Sequence, residues 1–214
     1  MNFFARLVLL SIGLCLSLLG GKTDKIHSLS THDISLETRY PDTSVNEVFK
    51  DNILLTLAYM DNRVKKNRLV NWKSVEQLFH VSFKLDPQEV FAFHDDVLPK
   101  YKVKLVKTTG AHFSAYEGFK SDGYLFGDGV CHLASLMNWV AKDAGLEVQS
   151  PTNHSFAIIN EIPSQFGTSI YSQPGQHESN EHQNLYLKNT LPHPIVFNFY
   201  YYDQKLHMSI DETL

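Results

Sequence analysis

Cysteine is nearly absent: the 214 residues hold only Cys15 and Cys131, which excludes the disulfide-dense scaffold of many small secreted domains. Glycine (11) and proline (8) are too sparse for a collagen or a low-complexity chain. No charge of one sign dominates. Lys plus Arg number 19 and Asp plus Glu 23, a formal net charge of -4, so wrapping of nucleic acid is not expected. What is present is globular material, 43% hydrophobic and 20% charged, enough for one domain with a core. The 14 Phe and 10 Tyr favour pleated strands, where aromatic side chains pack well.

The first residues stand apart. Arg6 precedes an uncharged apolar run from Leu7 to Leu19, followed by Gly20-Gly21 and the polar Lys22-Thr23-Asp24-Lys25, the layout of an export signal. Residues 1–21 are read as a signal peptide or an N-terminal membrane anchor, because Leu18 and Leu19 fit the small-residue cleavage rule poorly and leave the uncleaved form open. The expected location is the extracytoplasmic face of the envelope, secreted or membrane-attached. Removal of the signal would leave Cys131 as the sole thiol, unable to form an intramolecular disulfide.

Residues 22–40 are polar without a sustained period and read as a linker, with a single domain over 41–214. Ser44 and Glu47 have capping-box spacing, and Phe49, Ile53, Leu57 and Met60 follow on one helical face. Val81–Leu85 and Glu89–Phe93 read as two short strands around Asp86-Pro87. Five more strands are expected at Ser155–Ile159, Thr168–Tyr171, Leu185–Lys188, Ile195–Tyr202 and Lys205–Ile210. Ser172–Gln183 lacks apolar period and reads as an exposed loop, with His177 and His182 in solvent. Residues 61–110 carry ten Lys and Arg against six Asp and Glu, whereas 151–214 carry two against six, a weak asymmetry favouring an anionic envelope polymer at the basic half. His94-Asp95-Asp96 reads as a strand end with solvated carboxylates, and Trp72 and Trp139 as core.

The segment with chemical promise is Gly127-Asp128-Gly129-Val130-Cys131. Ala134, Met137, Val140, Ala141 and Ala144 follow at helical spacing, placing Cys131 in a first helical turn, where free amides and the helix dipole favour a thiolate. His154 opens the next expected strand and is positioned as a base. The expected fold is therefore α+β: a single domain of antiparallel β-sheet packed with a few helices, with Cys131 at the N-terminus of a central one. The order of Cys and His resembles transglutaminase-like and papain-like cysteine enzymes.

Longer motifs resemble the VanW-like family. They are Phe83–Phe93, Gly127–Ser135, Ala144–Val148, Asn153-His154-Ser155 and Asn184–Asn189 with Pro194-Ile195. The resemblance implies an exported bacterial envelope protein and picks out Cys131 and His154 as matching the family's Cys and His. Two departures matter. Asp128 interrupts a run of glycines and would oppose ionisation of the thiol, and Gly167 falls where an Asp would orient the His.

Two readings follow. One is a non-catalytic or degenerate envelope-binding module that meets a cell-wall polymer or an envelope protein. The other is a cysteine-dependent acyl-transfer or amide-cleaving enzyme, with Cys131 as nucleophile, His154 as base, and the binding residues Asp128, Gly129, Val130 and His132 around them. The missing orienting group favours the first. No cofactor is expected. A metal on Cys131 and His132 is disfavoured too, since adjacent helical residues point about 100° apart.

Overall fold

The computed structural model describes residues 25–66, 68–123, 126–154 and 160–214, so the apolar N-terminal run and the strand expected at Ser155–Ile159 lie outside the described residues. No helix among the described residues is long and apolar enough to cross a membrane. The chain begins with β1 (Ile26–Ser35), α1 (Thr43–Met60), α2 (Trp72–Val75), β2 (Phe79–Leu85), β3 (Val90–Ala92), α3 (Pro99–Lys102) and β4 (Leu105–Lys107). It continues with α4 (Val130–Asp143), β5 (Glu147–Gln149), α5 (His177–Asn180), β6 (Tyr186–Lys188), β7 (Ile195–Tyr202) and β8 (Lys205–Thr213).

The result is an α+β domain with two sheets. One is antiparallel in the order β1-β8-β7-β2; the other runs β4-β3-β6-β5 and contains a parallel β3–β4 pair. In β7 the period of two sends Ile195, Phe197, Phe199 and Tyr201 inward and leaves Tyr200 and Tyr202 exposed. Phe83 of β2 lies opposite Phe197, with ring centroids 4.5 Å apart, and also stacks on Phe91 of β3 at 4.9 Å. One aromatic side chain thus joins both sheets into a single core, and burying each such ring is worth about 1.5–3 kcal/mol. For this reason β2 and β3 are not a hairpin, although they flank one turn: Asp86-Pro87 carries the chain from one sheet to the other.

Residues 22–40, expected as a linker, contain a strand instead. Ile26–Ser35 pairs with β8 along its length, with Ile34 opposite Leu206 and almost fully buried. An edge strand shows solvent one face and one rim, so most of its side chains are polar and its composition resembles a linker. His32 stacks on Trp139 of α4 with ring centroids 3.6 Å apart, while its Nε2 lies 2.7 Å from Asp143 Oδ2. The strand is therefore anchored to the helix beneath it.

Helix α1 is capped by Asp42 rather than by a Ser44–Glu47 box. Asp42 Oδ1 accepts the Ser44 amide at 2.9 Å and the Ser44 hydroxyl at 2.8 Å, because an ionised carboxylate is the stronger acceptor and turns the serine into a donor. Both α1 and α4 are buried over most of their length; α4 packs against α1, β1, β5 and β8.

Candidate functional site

The loop before α4 is shaped by packing against α1. Asn52, fully buried on α1, donates to Lys120 O (3.0 Å) and Asp128 O (2.8 Å) and accepts from Lys120 N (2.8 Å). Gly129 has φ +97, and a Cβ there would sit 2.6 Å from the Phe49 carbonyl oxygen. Its glycine character thus answers a close backbone approach to α1. The amide of Val130, one of the expected binding residues, donates to Gly127 O at 3.0 Å, and the Val130 side chain is in the core. Asp128 accepts from the Asp122 amide at 3.1 Å; burial pushes its carboxyl up to about 6.

Cys131 is the second residue of α4. Its sulfur accepts the Ile170 amide at 3.3 Å and its thiol donates to the Ile170 carbonyl at 3.5 Å, so one side chain answers both backbone groups of one residue. Only the protonated thiol can do both. The residue as a whole is partly exposed, but its sulfur is enclosed: burial pushes the thiol up to about 11, the Ile170 amide opposes that, and Asp128 adds to it. A thiolate stabilised by the helix start is the sequence expectation; enclosure of the sulfur and the nearby carboxylate favour the thiol instead.

Ser135 and Asn138 continue the same helical face. Ser135 Oγ accepts the Thr168 amide at 3.0 Å, and Asn138 Nδ2 donates to Phe166 O at 3.0 Å and to Thr168 Oγ1 at 3.1 Å. Positions i, i+4 and i+7 of one helix thus fasten the segment Phe166–Ile170, which leaves a single helical turn at Phe166 and, contrary to the strand expected at Thr168–Tyr171, pairs with no sheet among the described residues. Its outer neighbour is the Asn153-His154 motif. Ser169 N donates to Thr152 O at 2.9 Å, and a Cβ on Gly167 would meet the His154 carbonyl carbon and oxygen at 3.1 Å. The departure at Gly167 acquires a physical reason, because an Asp would press on the His154 backbone. The segment between Phe166 and Ile170 contacts both Cys131 and the His154 main chain.

Neither histidine of the motif favours a charge. Burial pushes His132 down to about 3, with the Arg39 guanidinium adding to the effect, and its Nε2 has no hydrogen-bond partner among the described residues. Burial also holds His154 below the usual imidazole value, again with Arg39 contributing. His132 is buried.

Sequence reasoning missed a second polar assembly. Asp95, Asp96, His112, Ser172, Gln173, Pro174 and His177 line a cleft of about 460 Å³. The stretch 172–183, read as exposed loop, contains α5 and the buried Asn180, whose Nδ2 donates to Asp96 Oδ2 at 2.6 Å. A second sequence signal was Asn184. Fully buried, it accepts from Phe93 N (2.9 Å) and His94 N (3.3 Å) and donates to His94 O (3.1 Å) and Asp96 O (2.8 Å), fixing the turn that bears the two aspartates.

The fold and these fastenings define an α+β domain in which a cysteine-bearing helix and a histidine-bearing segment grip one stretch of irregular chain. A family model described as VanW like protein matches residues 67–211, and the chain belongs to that family. No curated protein and no solved structure matches the chain.

Proposed function

We propose that this VanW-like chain is a non-catalytic binding module of the cell envelope, exported by its N-terminal apolar segment and directed at a cell-wall polymer or an envelope protein. One observation carries the reading: the Cys131 sulfur has the amide and the carbonyl of Ile170 as partners and is held as a thiol, which suits a structural latch and opposes nucleophilic attack. The Val130 amide, used by Gly127, supports the same reading, since a stabiliser of an oxyanion needs amides aimed at substrate.

The test uses the full chain with isolated bacterial cell walls. Wild type, Cys131→Ser and His154→Gln should co-sediment with the walls to the same extent. Peptide amides and thioesters should leave no covalent adduct on Cys131. An acyl adduct by mass spectrometry, lost in Cys131→Ser, would establish the cysteine-enzyme reading instead. Absence of wall binding would remove the proposed partner.

A further inference from the structure

We infer that the cleft formed by Asp95, Asp96, His112, Ser172, Gln173 and His177 is a binding site for a neutral polyhydroxylated ligand, a sugar unit; the inference rests on the binding-module reading and gives that module its site.

The cleft is built from three stretches far apart in sequence. The Asp95-Asp96 turn is fixed from beneath by Asn184. The second wall is His112, whose Nε2 lies 2.8 Å from Asp95 Oδ1 and whose Nδ1 lies 3.3 Å from Glu117 Oε1. The third wall is the 172–177 stretch. Asn180 holds it by accepting from Gln173 N at 3.0 Å and donating to Gln173 O at 2.8 Å, and His177 Nδ1 is bonded to Asp96 Oδ1. Two of the bordering side chains, His112 and Asp96, also have partners outside the space in Glu117 and Asn180, which lowers the entropic cost of binding. Its volume, about 460 Å³, falls within the range of small-molecule pockets, about 300–1,000 Å³.

The ligand class follows from which groups are left over. Among the described residues, Asp95 Oδ2, His177 Nε2, the Ser172 hydroxyl and the Gln173 side-chain amide have no hydrogen bond, so the cleft offers acceptors and donors side by side. Each carboxylate already has an imidazole nitrogen against one of its oxygens, His112 on Asp95 and His177 on Asp96, and Lys66 Nζ lies 3.3 Å from His112 Nδ1. A cationic ligand would have to compete with these groups. Hydroxyls, which donate and accept at once, match an alternating set without disturbing it. Pro174 supplies an apolar edge for the C–H face of a ring. Glu117 and Asp96 are each drawn below the usual carboxylate range: burial raises both, but hydrogen bonds, from His112 first in one case and from His177 and Asn180 in the other, outweigh it. Both therefore stay as ionised acceptors at neutral pH.

The experiment is an NMR titration of the isotopically labelled full chain with methyl glucoside, N-acetylglucosamine, 1,5-diaminopentane and inorganic phosphate as separate probes. One of the two sugars should shift the amides of residues 95–96, 112 and 172–177. His177→Ala and Ser172→Ala, both surface changes that leave the fold intact, should weaken that binding by about tenfold or more together. Shifts with the diamine or phosphate alone, sugar shifts located elsewhere, or sugar binding indifferent to both substitutions would overturn the inference. The outcome is separate from the status of Cys131: an acyl adduct on Cys131 with sugar binding in the cleft would refute the non-catalytic reading and leave this site standing.

Discussion

Replacing Cys131 with alanine removes the acceptor for the Ile170 amide and the donor to its carbonyl, and Ile170 is only 7% exposed. A buried amide left without a partner costs about 1–3 kcal/mol. The lost sulfur contacts add little by comparison, so Cys131→Ala should destabilise the chain by about 2 kcal/mol, which lowers Tm by about 4–8 °C in a domain of this size. Serine behaves differently, since its hydroxyl keeps both a donor and an acceptor in the same place. Cys131→Ser should lie within about 1 kcal/mol of wild type. Ser135→Ala, which orphans the fully buried Thr168 amide, should cost a similar amount to Cys131→Ala, and the double variant should lose less than the sum because one released segment serves both contacts. Urea titrations followed by tryptophan fluorescence measure all four proteins. An alanine variant as stable as wild type, or a serine variant weaker than the alanine one, would refute the latch.

Two further outcomes follow from the packing and the charges. The carboxylate of Glu117 above all, with Asp95 adding to it and burial opposing, raises His112 above the usual imidazole value; a raised histidine contributes stability that is complete below about pH 6.5 and is lost as pH rises through its folded value. His112→Ala should therefore flatten the fall in urea stability as pH rises above about 6.5, and an unchanged slope would remove His112 from the explanation. Gly129→Ala places a Cβ 2.6 Å from the Phe49 carbonyl oxygen at a positive φ, so it should cost more than about 2 kcal/mol by the same titration, whereas Gly145→Ala, with nothing within 4 Å, should cost only the left-handed strain.

Much of the scaffold was legible because its signals are local. The alternation in Ile195–Tyr202 and the helical spacing after Cys131 each correspond to an observed element, and the VanW-like motifs lie within the matched region. What was not legible depends on partners distant in sequence. Strand β1 is hidden by the polar rim of an edge. The Cys131 thiol is held protonated by burial, and its hydrogen-bond partner Ile170 lies 39 residues away, which no spacing rule connects to it. The cleft escaped notice for the same reason: its two His–Asp pairs join residues separated by 17 and 81 positions. Buried asparagines were the overlooked signal, since Asn52, Asn180 and Asn184 each tie chain segments far apart in sequence.

The role of Cys131 is decided by the pH dependence of its alkylation in the folded full chain carrying Cys15→Ala, so that a single thiol reports. Slow iodoacetamide labelling that titrates above the free-thiol value of about 8.5, rises to the free rate on unfolding in urea and does not respond to His154→Gln is the predicted result. Fast labelling of the folded protein with an apparent pKa below that value, raised by His154→Gln, would contradict it.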